Sequence, residues 1–186
     1  MPMPILYIET NFLISHATGR DARTDEILTR SPDRFRIVIP GVCFMEAFSA
    51  FEAEPKRHNR LVGDLQKQIG QSRRNVVSAG ASRLADHLGR AIAELREVFN
   101  EFQGRLDEVI EHLRAAAKMI HPTPQILGES LARTLIWDTT DNLILMSLLN
   151  HATAEPNFEK SFLSENGKDF DSKPYPKDAI ERAGIK

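Results

Sequence analysis

Cysteine is almost absent. Cys43 is the only one in 186 residues, which excludes an intramolecular disulfide and any cysteine-rich zinc site. Lying between Val42 and Phe44, it reads as a small packed side chain rather than a nucleophile. No apolar run is long enough to cross a bilayer. The first residues lack a basic stretch, and Glu9 interrupts their apolar run, so no secretory signal is expected and the expected compartment is cytoplasmic. Missing as well are a glycine-rich phosphate loop, a serine or histidine hydrolase motif, an internal repeat and a low-complexity tract. Histidines His58, His87, His112 and His121 show no metal-ligand spacing.

Charge of one sign is also scarce overall. The net charge is −2, with 41% hydrophobic and 27% charged residues, an ordinary globular composition. The balance conceals an asymmetry. Residues 55–118 hold 12 Lys/Arg against 8 Asp/Glu, and the remainder holds 12 against 18. The basic stretch is a candidate for handling phosphates, and the acidic remainder is a candidate for chemistry.

The length suits one domain with one sizeable insertion. Ile5–Ile8 and Arg36–Ile39 are short runs rich in strand-favouring residues, the second closed by Pro40-Gly41. A helix is expected to start near Thr10 or Asn11, and Val42–Phe51 reads as a largely buried helix. From Pro55 onward the apolar spacing turns helical, through Leu61, Leu65 and Ile69. After a break near Ser78-Ala79-Gly80 it resumes from Leu84 to Leu113. Two antiparallel helices are expected there, the second ended by His121-Pro122. Ile126–Ile136 reads as another helix, Asp138 and the residues after it as a capped apolar helix through Leu149, and Lys160–Ser164 as a strand. Strands interleaved with helices predict an α/β fold with a parallel sheet.

Four acids then stand out by position. Glu9 follows the first strand and Glu46 lies in the opening turns of the helix after the second. Asp141 starts a helix, and Asp169 follows the Lys160–Ser164 strand. Glu9 and Glu46 are closely flanked by apolar residues with no Lys or Arg in their own elements, and an ionised carboxylate near a core needs a cation or a proton. In parallel α/β sheets, ligands bind beyond the carboxyl ends of strands. Hard oxygen donors meeting there select Mg2+ or Mn2+. Each acid also has a plainer reading. Glu9 could face solvent, Glu46 could pair with an arginine of the insertion, Asp141 could serve the helix start capped by Asp138, and Asp169 and Asp171 could be turn acids.

The order of these motifs resembles the PIN domain family. The matching segments are Ile8-Glu9-Thr10-Asn11-Phe12-Leu13-Ile14, Ile39-Pro40-Gly41-Val42-Cys43-Phe44-Met45-Glu46, Asp141-Asn142-Leu143-Ile144, and Phe162-Leu163-Ser164-Glu165-Asn166-Gly167-Lys168-Asp169-Phe170. The resemblance implies a three-layer α/β/α fold with a central parallel sheet, one PIN-like domain over 1–186 with a long helical-hairpin insertion at 55–118. It implies a metal-dependent nuclease, holding Mg2+ or Mn2+ on Glu9, Glu46, Asp141 and Asp169 and acting on nucleic acid, with single-stranded RNA foremost. Thr10, Asn11, Asp138, Ser164 and Asn166 would orient those carboxylates, water or phosphate. One departure is that Glu9 stands where the family usually has aspartate, which moves the carboxylate by a methylene.

The insertion adds Lys56, Arg57, Arg60, Lys67, Arg73 and Arg74 on its first helix, a set that either steers nucleic acid or forms a solvated face with local salt bridges. Its apolar stripe either packs internally or meets a second copy or partner. Two other readings therefore stand beside the nuclease. One is a PIN-like binding or scaffold module with weakened catalysis. The other is the toxin ribonuclease of a toxin–antitoxin pair, neutralised by an antitoxin-like protein.

Overall fold

The computed structural model describes every residue except 1, 31–33, 167–169 and 171–173. Four parallel strands form one sheet in the order β3-β2-β1-β4, with β1 Ile5–Ile8, β2 Arg36–Pro40, β3 Lys118–Ile120 and β4 Lys160–Leu163. Leu6 pairs with Ile37 on one side and Ser161 on the other. All four residues of β1 are buried, as a central parallel strand requires when helices cover both faces. The result is a three-layer α/β/α sandwich.

The strand order positions the site. The chain leaves β1 for β2 and then β3 on one side, and returns to place β4 on the other side of β1. The winding reverses between β1 and β4, and such a reversal opens a crevice at the carboxyl ends of the two strands.

Helices α1 (Thr10–Thr18) and α2 (Ala22–Arg30) join β1 to β2. Gly19, with φ of 65°, ends α1 in the left-handed conformation and donates its N–H to the Ser15 and His16 carbonyls. The sequence reading assigned nothing to α2, whose described side chains bury only Thr24 and Leu28, too narrow a stripe to register as a period. Asp21 starts it by accepting the Arg23 N–H at 2.9 Å.

Between β2 and β3 run α3 (Gly41–Arg74) and α4 (Ala79–Ala116). The expected separate helices at Val42–Phe51 and beyond Pro55 are one helix, and Pro55 lies inside it. Proline removes one N–H and crowds one carbonyl, and a 34-residue helix carries that local defect without ending. Strand β3 was also absent from the sequence reading. It has three residues, two of them exposed, and only its pairing with β2 distinguishes it from the end of a helix.

By internal contacts the chain divides into two units, Met1–Ala47 with Leu106–Lys186, and Phe48–Arg105. The second is an antiparallel helical pair turning at residues 75–78, where the Ser78 hydroxyl accepts the Ala81 N–H at 3.2 Å. Val62, Ala85 and Ile92 are buried in it, and His58 stacks on Phe99 with ring centroids 4.9 Å apart.

In the first unit, α5 (Pro124–Ala132) is capped by the Thr123 hydroxyl on the Ile126 N–H, with Pro124 in its first turn. It stops short of the expected Ile136. The Asn142 side chain takes over the backbone that would have continued it. Its Oδ1 accepts the Leu135 and Ile136 N–H groups, and its Nδ2 donates to the Ser130 and Arg133 carbonyls. Helix α6 (Thr139–Ala154) buries Ile144, Leu145, Met146 and Leu148, so it is apolar almost all round, as a fully covered helix should be. Helix α7 (Pro174–Arg182) precedes the chain end, where Lys186 exchanges hydrogen bonds with the backbone of β4.

Candidate active site

Three of the four acids are described, and each comes from a different junction. Glu9 is the residue between β1 and α1. Its backbone is extended and its side chain caps nothing, which leaves the carboxylate available. That carboxylate is only 1% exposed. Its Oε1 accepts the Ser164 hydroxyl at 2.6 Å and the Asn11 amide at 3.2 Å. Burial pushes the Glu9 carboxyl above its ordinary value of 4.5; the hydrogen bonds from Ser164 and Asn11 oppose the shift, and the charge of Glu46 adds to it. Among the described residues, no Lys or Arg pairs with Glu9 or Glu46.

Glu46 sits in the opening turns of α3 because β2 ends at Pro40 and the helix begins at once. The Thr10 hydroxyl, buried at the start of α1, donates to its Oε2. One residue of α1 thus fixes a carboxylate of α3. Cys43, a turn earlier on α3, lies in the same pocket. Burial pushes its thiol up to about 12, with a Thr10 hydrogen bond opposing and the Glu9 and Glu46 charges adding. A thiol so weakly acidic is a packed side chain, as its neighbours in the sequence suggest.

Asp141 lies in the first turn of α6, and its Oδ2 accepts the Asn166 amide at 3.1 Å. The Asn166 backbone N–H in turn donates to the Ser164 hydroxyl at 2.9 Å. Ser164 and Asn166 therefore connect Asp141 to Glu9 across 132 positions of chain, through the turn that follows β4. Asp138 has a separate task. Its Oδ1 accepts the Thr140 and Asp141 N–H groups at 2.8 and 3.1 Å, which caps α6 and aims its first turn. Asp169 lies outside the described residues.

Thr10, Asn11, Ser164 and Asn166 thus touch the carboxylates directly, and Asp138 acts through the backbone of Asp141. Sequence reasoning gave Asn142 no task, although its side chain holds the backbone before α6. The only signal for Asn142 was one amide inside an apolar helix.

Hard oxygen donors, one of them buried with an ionisation that burial opposes, suit a divalent ion in their chemistry. Among the described residues, no three His, Cys, Asp or Glu side chains are gathered closely enough to hold a metal. Hydroxyl and amide donors lie between the carboxylates, which limits the repulsion of like charges.

The six basic residues of the second unit, Lys56, Arg57, Arg60, Lys67, Arg73 and Arg74, are all exposed. Arg57 pairs with Glu54 and Lys67 with Asp64, each at 3.0 Å on the same helix. Among the described residues the other four form no ion pair. Among the described residues, too, no helix is long and apolar enough to cross a membrane.

A family model described as a PIN domain matches residues 6–170. No curated protein and no solved structure gives a match.

Proposed function

This chain belongs to the PIN domain family, whose members are generally nucleases that use divalent metals, and we propose that it hydrolyses phosphodiester bonds in single-stranded RNA. One observation carries the reading. A carboxylate at the crevice between β1 and β4 is buried, raised in pKa, and met by hydroxyl and amide donors with no cation among the described residues. Such a group is destabilising unless something positive joins it.

Glu9, Glu46 and Asp141, with Asp169, would hold Mg2+ or Mn2+. When bound, the ion supplies stabilisation of charge on the phosphate and a water acidified enough to attack. The chain's own groups prepare that site. Thr10 and Asn11 hold the Glu46 and Glu9 carboxylates in fixed rotamers, Ser164 keeps Glu9 oriented, and Asn166 does the same for Asp141. The exposed Lys56, Arg60, Arg73 and Arg74 would contact backbone phosphates, giving a salt-sensitive affinity. The basic stretch fits the insertion reading of residues 55–118 within one PIN-like domain.

The test is cleavage of single-stranded RNA by the purified chain as Mn2+ is added. Metal-dependent cleavage that disappears in Asp141→Asn plus Asp169→Asn is expected. Cleavage unchanged in that double variant would refute the site. A second reading, a PIN module with weakened catalysis that holds a partner through its helical pair, is favoured by Glu9 standing where the family usually has aspartate. Calorimetry finding no Mn2+ binding, together with a stable complex through residues 48–105, would select it.

A further inference from the structure

The chain has one tryptophan, and it is 89% exposed. An indole left in water is ordinarily a loss of burial that folding would avoid. Its setting makes it more than a stray surface residue. Trp137 immediately precedes the Asp138 cap of α6, four positions before Asp141. The loop that presents it is not slack. Asn142, 2% exposed, ties down the backbone at Ser130, Arg133, Leu135 and Ile136, and the Ile136 side chain is buried beside it. The ring is thus exposed on a rigid mount.

Beside the ring lies a groove of about 450 Å3, within the roughly 300–1,000 Å3 usual for small-molecule sites. Leu127, Leu131 and Leu143 form apolar walls, and Ser130, Thr134 and Thr140 supply uncharged hydrogen-bonding groups. Among the described residues no charged side chain lines it. Thr140, which lines the groove, directly precedes Asp141 in the first turn of α6, and both N–H groups rest on Asp138.

We infer that this groove is a nucleobase subsite, in which Trp137 stacks on a base of the single strand whose backbone is presented to Asp141. A base has flat apolar faces and a polar edge. It matches one aromatic face, aliphatic walls and a few hydroxyls, while its phosphates remain outside an uncharged groove. An unpaired strand is required, because a base within a duplex has no free face. The inference rests on the nuclease reading for its substrate and sharpens it. The substrate is single-stranded, and its affinity comes from stacking as well as from charge.

With one tryptophan, fluorescence excited at the red edge, beyond tyrosine absorption, reports Trp137 alone. The full chain is titrated in chelator with a short single-stranded oligoadenylate, and separately with an abasic ribose-phosphate chain of equal length. Binding is followed in parallel by anisotropy of a labelled strand. The expected result is quenching by oligoadenylate and none by the abasic chain. Trp137→Ala should weaken oligoadenylate binding about tenfold, the scale of one lost base stack, and Trp137→Phe should restore most of it. With Mn2+ present, Trp137→Ala should raise KM and leave kcat nearly unchanged, whereas Asp141→Asn should abolish cleavage and retain the quenching.

Binding without quenching, or equal quenching by the abasic chain, overturns the subsite and leaves the nuclease reading standing. Quenching without any Mn2+-dependent cleavage supports the subsite and overturns the nuclease reading instead. Absence of binding by either strand overturns the subsite. So does an emission shift that depends on protein concentration alone, which would assign the groove to a second copy of the chain.

Discussion

The two ends of the same sheet treat a glutamate in opposite ways. Near the amino ends of the strands, Glu155 at the close of α6 meets Arg36 at 3.0 Å and Lys118 at 3.4 Å, with His151 at 4.0 Å. Arg36 itself lies 4.5 Å over the Phe158 ring, and His151 is joined to the Tyr7 hydroxyl at 2.9 Å. Partial desolvation works against Glu155, yet contacts with Arg36 and Lys118 hold it below the ordinary carboxylate range. At the carboxyl ends, Glu9 is more deeply buried, has only neutral donors among the described residues, and is held above that range. One carboxylate is neutralised by the chain; the other is left in want of a positive charge. The fold brings two basic side chains to the acid at one end and, among the described residues, none to the acid at the other.

The largest effect that would sharpen this contrast is on cleavage. Glu46→Gln should reduce Mn2+-dependent RNA cleavage by more than about 100-fold, beyond the range usual for partners that only orient a ligand, while Glu155→Gln should leave kcat unchanged. Equal losses in both variants would erase the distinction. Next, Ser164→Ala should lower cleavage by roughly 10- to 100-fold. Because Ser164 is the strongest opposing influence on the Glu9 ionisation, the same change should also move the acidic limb of the pH–rate profile upward; a profile that stays in place would remove Ser164 from the site.

Stability should divide the two glutamates by sign. Glu9 holds its proton more tightly in the folded chain, so its contribution is fully present below the unfolded value near 4.5 and is lost as the pH rises through the higher folded value. Metal-free Glu9→Gln should therefore melt a few degrees higher than the parent at pH 7, at about 2–4 °C per kcal/mol for this size, with little difference below pH 4. Mn2+ should narrow that gap by stabilising the parent. Glu155 has a depressed value, so its contribution is present above the unfolded value and is lost as the pH falls through the folded one. Glu155→Gln should melt lower at pH 7. Two shifts of the same sign by calorimetry would contradict the comparison.

The smallest effect belongs to the helical unit. Glu54→Gln and Asp64→Asn break exposed pairs and should change stability by less than about 1 kcal/mol. By freeing Arg57 and Lys67 they should tighten RNA binding and steepen its salt dependence. Unchanged binding across a salt series would detach this face from nucleic acid.

Several features were legible from residue order alone. Ile5–Ile8, Arg36–Ile39 and Lys160–Ser164 read as strands because apolar, β-favouring runs sit between turn residues, and α4 read as a helix because its apolar spacing persists from Leu84 to Leu113, about eight turns. Glu9 and Glu46 could be picked out as acids in apolar surroundings. Strand β3 could not, since three residues with two exposed carry no period, nor could the end of α5, which is fixed by an amide ten positions beyond it. The role of Ser164 was visible only as a member of a motif. Its bond to Glu9, 155 positions away, is not encoded in either neighbourhood.

By itself, residue order determined three of the four strands, most of the helices, that the sheet is parallel, and that acids follow the strands. These depend on spacing along a few turns of chain. Tertiary structure alone decided which strand lies beside which, and that Glu155 is given its cations while Glu9, among the described residues, receives only hydroxyl and amide donors. A charge is matched or left bare by whatever the fold brings within a few ångströms of it, and those partners come from remote segments whose meeting no local period records.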